Sequence, residues 1–185
     1  LPASEMADGK SFDQLVASPL GYLVKQPGNW DATRTGRELA VLAVQRIASN
    51  DPRAAASELE RLQGRLKEDE RQWAWSQVAL QGAKRHYPEA LGWYAKAGLT
   101  PLSDDGYQWK VRAALREHDW GIVLATILEM PPTLAAQPEW VYWLGRAYKA
   151  GGLTSEADAR FERIAGQANF YGNLADEELG RRIVA

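Results

Sequence analysis

The residues best suited by type to acid–base chemistry are two carboxylate clusters, Glu68-Asp69-Glu70 and Asp176-Glu177-Glu178. Cleaving a glycoside needs only one or two carboxylates in a shaped cleft, which makes such clusters the first candidates. Both fall at expected helix ends or faces, where acidic side chains complement the helix dipole or stay solvated. That accounts for them without catalysis. Ser57-Glu58 and Ser155-Glu156 likewise read as helix surface and as a helix start. The histidines, His86 and His118, lie in or beside expected connections between helices, and neither shows an HExxH-like ligand spacing. The chain has no cysteine, which excludes disulfides, thiolate nucleophiles and cysteine-held zinc. Neither a phosphate-binding glycine loop nor a Gly-x-Ser-x-Gly elbow is present; Gly151-Gly152 reads as a helix stop. No catalytic residue, cofactor-binding residue or metal ligand is therefore assigned.

The aromatic residues offer a different chemistry. Eight tryptophans in 185 residues is a high count, and aromatic faces can stack on sugar rings as well as fill a core. Trp73 and Trp75 are two apart and cannot share a helix face, so one of them is expected to be less buried. Trp140, Tyr142 and Trp143 pose the same question, as do Tyr107 and Trp109. Packing between helices is the ordinary fate of such residues.

The elements that position them are helices. Residues 1–30 are poorly periodic and broken by Gly9, Pro19, Gly21, Pro27 and Gly28, with room for a short helix around Phe12–Val16. They are expected to form an irregular N-terminal segment, with a TPR-like superhelical domain over 31–185. Asp31 or Thr33 can cap a helix running to about Ser49, and Asp51-Pro52 starts a second running to about Leu62. Further helices are expected at about 67–84, 88–97, 104–117, 119–129, 138–150, 154–166 and 170–179. No strand-like alternation competes, so the fold class is all-α.

A period of 34 runs through these helices. Trp75, Trp109 and Trp143 are separated by 34 residues each, and Val41 stands 34 before the first. Four residues after the three tryptophans come Ala79, Ala113 and Ala147; eighteen after the four anchors come Leu59, Trp93, Ile127 and Phe161. This is the period of a TPR-like helical hairpin, whose large residues pack on small ones of its neighbour and which stacks into a solenoid.

Composition sets outer limits. A formal net charge of −2 supplies no electrostatic footprint for nucleic acid, and no apolar run approaches the roughly 20 residues needed to cross a bilayer. The chain opens Leu1-Pro2-Ala3-Ser4 without an initiator Met or a leader-like apolar core, so it is expected to be a processed chain or a piece of a longer one.

One resemblance is specific. Arg71-Gln72-Trp73-Ala74-Trp75, Tyr87-Pro88-Glu89-Ala90 with Trp93-Tyr94, and Trp109 through Arg116 with Trp120 lead into the helix Pro138-Glu139-Trp140-Val141-Tyr142-Trp143-Leu144-Gly145-Arg146-Ala147. Downstream lie Ile164-Ala165-Gly166-Gln167 and Phe170-Tyr171-Gly172-Asn173-Leu174-Ala175. This pairing, over about residues 31–180, resembles the superhelical domain of the Slt-type soluble lytic transglycosylases. The resemblance implies a periplasmic parent protein that cleaves peptidoglycan between N-acetylmuramic acid and N-acetylglucosamine, leaving a 1,6-anhydro ring. One glutamate would serve as acid and then base, in a lysozyme-like domain that follows the superhelix, within a Glu-Ser motif. No Glu-Ser pair occurs here, so no catalytic residue carries over.

The expected role is a non-catalytic scaffold that guides peptidoglycan glycan strands. Trp73, Lys110, Arg112, Trp140 and Arg146 are its candidate surface contacts with glycan or stem peptide. The alternative is a TPR-like adaptor holding a protein partner's peptide in its groove. A self-contained enzyme with an unfamiliar site is the third reading; anhydro-muropeptides released from purified murein would reveal it.

Overall fold

The local rules that start helices are visible at one N-terminus after another. Thr33 accepts a hydrogen bond from Gly36 N, Ser103 from Gly106 N, Asp119 from Ile122 N and Asn169 from Gly172 N. Asp51 accepts from both Arg53 N and Ala54 N ahead of Pro52 at the first helical position. Each cap satisfies amide donors that the first helical turn cannot pair internally. In the computed structural model, which describes residues 9–181, the described residues form helices joined by turns and short 3₁₀ segments, without a strand.

The chain divides into two compact units, one ending at Leu102 and the next beginning at Ser103. The first contains α1 (Gly9–Ala17), α2 (Pro19–Lys25), α3 (Arg34–Asn50), α4 (Pro52–Leu62), α5 (Glu68–Lys84) and α6 (Ala90–Lys96). Here α3 packs on α4 and α5, and α5 packs on α4 and α6, so the α3–α4 hairpin lies against the α5–α6 hairpin. The second contains α7 (Asp104–Arg116), α8 (Trp120–Glu129), α9 (Pro132–Ala135), α10 (Pro138–Ala150), α11 (Thr154–Glu162) and α12 (Phe170–Glu178). There α7 pairs with α8, α10 packs on α8 and α11, and α12 closes against α10 and α11.

Residues 1–8 lie outside the described residues. The rest of the segment expected to be irregular carries two short helices. Ser18 ends α1 and caps α2 through Gly21 N, with Pro19 at the first helical position. Leu15, Tyr22 and Leu23 are buried where α1 and α2 meet α3. Glycine and proline break this stretch as expected, but they divide it into helices.

Three hairpins turn in the same way. After α5, α7 and α10 the backbone enters the left-handed region at His86 (φ 60°), His118 (φ 57°) and Gly152 (φ 77°). Tyr87 N then reaches back to Gly82 O, Asp119 N to Ala114 O and Leu153 N to Tyr148 O, each bond spanning five residues. This is the Schellman ending of a helix, usually built on glycine. Histidine enters the left-handed region more readily than most side chains do. The two histidines therefore act here as helix stops.

The columns of the 34-residue period are buried. Val41, Ala79, Ala113 and Ala147 sit in the core, as do Leu59, Trp93, Ile127 and Phe161. The tryptophan column is uneven: Trp75 is 1% exposed, whereas Trp109 and Trp143 are half-buried. Trp75 donates from Nε1 to Gln63 Oε1 at 3.1 Å, and the Lys96 ammonium stands over its ring. Large rings seat on glycines within two hairpins. A Cβ added to Gly82 would come within 2.5 Å of the Trp93 ring, and one added to Gly145 within 2.5 Å of the Phe161 ring.

These contacts fix the sign of simple substitutions. Gly145→Ala should lose about 1–2 kcal/mol, because overpacking outweighs the gain in helix propensity. Gly92→Ala, in α6 with nothing near the added methyl, should gain up to about 1 kcal/mol. Urea midpoints report both, and a stabilised Gly145→Ala would mean the ring is not seated there. Trp75→Ala should cost about 3–5 kcal/mol and Trp109→Ala clearly less, by thermal unfolding. Equal losses would contradict their unequal burial.

Candidate functional site

In the first unit, a groove of about 450 Å³ opens between α3 and α5. Val41 and Leu42 of α3 supply its apolar floor, with Glu38 one turn earlier on the same helix. From α5 come Asp69, Glu70 and Trp73, and Thr100 lines it from the segment after α6. Trp73 is 39% exposed while Trp75, two residues on, is buried, which resolves the pair in the expected sense. One face of α5 meets the core through Trp75, Val78 and Ala79, and Trp73 is left to line the groove.

The groove wall is held by a nearly buried ion pair. Arg37 Nε meets both Glu70 oxygens at 3.0 Å, and the two side chains are only 10% and 14% exposed. Arg37 Nη1 also donates to Asp31 O at 2.8 Å, and Glu70 accepts from Lys67 N at 2.8 Å. Glu70 thus ties α5 to α3 and caps its own helix. This is a third use of an acidic cluster, beyond helix-dipole complement and solvation. Arg65 pairs with Asp31 on the same side, and that hydrogen bond holds the Asp31 carboxyl below the usual range.

The second unit gathers the basic candidates with aromatic rings. Arg146 Nη1 donates to the Tyr142 hydroxyl at 2.9 Å and pairs with Glu178 at 3.2 Å, while Lys149 Nζ meets the same carboxylate at 2.7 Å. Trp120 joins Arg146, Lys149 and Glu178 around a recess of about 270 Å³. Arg112 pairs with Glu139 at 3.3 Å, its guanidinium 5.1 Å from the Trp109 ring centre and 5.4 Å from that of Trp140. Burial raises the pKa of the Tyr142 and Tyr171 hydroxyls, so both stay protonated at neutral pH. Lys110 is half-buried on α7.

One sequence candidate has to be withdrawn as a surface contact. Trp140 is 0% exposed, packed inside the second unit, and its Nε1 makes no hydrogen bond among the described residues. A ring with no accessible face cannot stack on a sugar. The spacing of Trp140, Tyr142 and Trp143 left open which face of α10 is the core; packing buries Trp140 and Tyr142 and leaves Trp143 at the margin. Of the remaining candidates, Trp73 lies in the first unit and Lys110, Arg112 and Arg146 lie in the second. Reading residues singly missed Glu38, Leu42, Thr100 and Trp120. Glu38 and Leu42, four apart on α3, were within reach of helical periodicity; Thr100 was not, since it comes in from a connection.

Among the described residues no group of three His, Asp or Glu side chains is placed to hold a metal ion, and no helix is long and apolar enough to cross a membrane. Glu70→Gln should destabilise the protein by about 2–4 kcal/mol, because it leaves the Arg37 charge nearly buried beside a neutral amide. Thermal unfolding measures this, and a loss no larger than that of Glu38→Gln on the open rim would show that the pair does not brace the wall.

No protein-family model and no curated protein matches the chain at a significant level. Solved structures do. An inactive variant of the lytic transglycosylase Slt from Pseudomonas aeruginosa superposes with a TM-score of 0.76 over 98% of this chain, at 26% identity. The 70 kDa soluble lytic transglycosylase Slt70 from Escherichia coli superposes with a TM-score of 0.67 over 94% of it, at 22% identity. This chain spans 30% of the first protein's length and 28% of the second's. Its fold is that of a segment of the Slt-type lytic transglycosylases.

Proposed function

We propose that this chain is a scaffold and substrate-guiding segment of a peptidoglycan lytic transglycosylase, with a TPR-like superhelical build and a periplasmic place of work. The observation that carries this is the match over 98% of the chain to a lytic transglycosylase at 26% identity. It is supported by the Trp-rich α10 and the α12 that follows it, the elements on which the sequence resemblance rests. In the parent enzyme the bond between N-acetylmuramic acid and N-acetylglucosamine would be cleaved, with a 1,6-anhydro product, by a domain other than this one. The chain's own part is positional: its helical hairpins restrict which strands approach and in what orientation, and orientation lowers a barrier without any reacting group. Trp73 is the proposed contact in the first unit, and Lys110, Arg112 and Arg146 those in the second.

The rival reading, an adaptor for a protein partner's peptide, shares the fold and uses the same grooves. The resemblance to transglycosylases favours the first. The test is retention on purified murein sacculi against an unrelated TPR protein of similar charge. Retention well above the control, weakened by Arg112→Ala and Arg146→Ala together, is the expected result. Retention equal to the control removes the guiding role. Incubation of the chain with murein should release no anhydro-muropeptides, and their appearance would show that the chain is itself catalytic.

A further inference from the structure

The groove between α3 and α5 combines an apolar floor, an exposed indole and an acidic rim. Asp69 and Trp73 are four residues apart on α5 and project from one face of it, above Val41 and Leu42. The positive end of the helix accounts for an acidic first turn. It gives no reason for an indole to stand exposed beside that turn.

The other indoles show what ordinarily lies against an aromatic face in this protein. Arg65 stands over Trp30, Lys96 over Trp75, Arg112 over Trp109 and Trp140, and Arg146 over Trp120. Trp93 is buried on Gly82, and Trp143 meets Tyr142 edge to face. Trp73, among the described residues, has neither a cation nor a ring against it. The rim shows a matching gap. Glu38 pairs with Arg34 at 2.6 Å and Glu70 with Arg37 at 3.0 Å, whereas Asp69 makes no hydrogen bond or ion pair among the described residues and feels only the field of Arg34, whose guanidinium is bonded to Glu38.

We propose that this groove binds the primary ammonium side chain of a peptide, its methylene stem on Val41 and Leu42 and its charge between the Trp73 face and Asp69. Cation–π attraction and a carboxylate then act on the same charge, which a neutral sugar would leave unanswered. The volume of about 450 Å³ suits a side chain and its flanking peptide. The inference goes beyond the guiding role and does not rest on it: the groove would recognise an amine whichever polymer carried it.

The test uses the whole chain, labelled with ¹⁵N, with the Trp73 indole Nε1–H signal identified by its loss in Trp73→Leu. The probes are acetyl-Ala-Lys-Ala-amide and the same peptide acetylated on the lysine amine. The lysine peptide should shift the Trp73 signal to saturation. The acetylated peptide should bind about tenfold more weakly, and Asp69→Asn should weaken the lysine peptide several-fold, both effects shrinking at high salt. Unmoved signals from the buried tryptophans in Asp69→Asn establish that the fold is intact. Equal responses to the two peptides would overturn the proposal. So would a response that survives Asp69→Asn unchanged, or a Trp73 signal saturated only by a neutral chitooligosaccharide. Loss of murein retention would leave amine binding untouched, so the two readings fail separately.

Discussion

An aromatic ring lying against a glycine of the neighbouring helix is the contact on which two of the hairpins, α5–α6 and α10–α11, depend. Trp93 of α6 rests on Gly82 of α5, and Phe161 of α11 rests on Gly145 of α10. At both places a single methyl group would collide with the ring, so the helices approach as closely as glycine allows. Burying a ring over glycine removes much apolar surface from water while fixing the spacing of two helices. The left-handed turns at His86 and Gly152 return the chain so that the second helix meets the first in that register. A short turn and a deep seat thus specify each hairpin together.

Charged pairs do between helices what rings do within hairpins. Arg37 and Glu70 join α3 to α5, and Glu178 of α12 gathers Arg146 and Lys149 of α10. Each contains one carboxylate from an acidic cluster; Arg37–Glu70 is sheltered from solvent on both sides, whereas at the second only the Glu178 carboxylate is sheltered, and the pair Arg34–Glu38 is open. A sheltered pair needs correct geometry to offset its desolvation, so it selects one arrangement of helices over near alternatives. Bracing α5 against α3 at Glu70 sets the wall from which Asp69 and Trp73 project. The groove is a consequence of the same pair.

Much of the local structure was legible because its causes lie close in sequence. Asp51 before Pro52, Ser103 and Asp119 announce their helices, and each makes the expected capping bonds. The columns through Ala79 and Leu59 were legible for a related reason, since equivalent positions of successive helical hairpins are buried. Less was legible where a residue plays against type. His86 and His118 end helices as glycine usually does, a role that only the backbone angle reveals. The helices α1 and α2 were obscured by their own breakers, because helices this short take their stability from packing on α3. Trp140 and Trp73 looked alike as aromatic members of aromatic-rich helices, yet one is wholly enclosed and the other open.

By itself, the sequence determined that this chain is helical, where most helices begin, which positions recur with the hairpin period, and which family it resembles. These rest on capping, periodicity and motif, all local or regularly spaced. The tertiary structure alone decided which tryptophan faces water, which carboxylates are spent on ion pairs, and that Thr100 joins Glu38 and Trp73 around one groove. Exposure and pairing depend on residues 30 or more positions away, as with Arg37 and Glu70, and no local pattern encodes which distant side chain arrives to cover a ring or meet a charge.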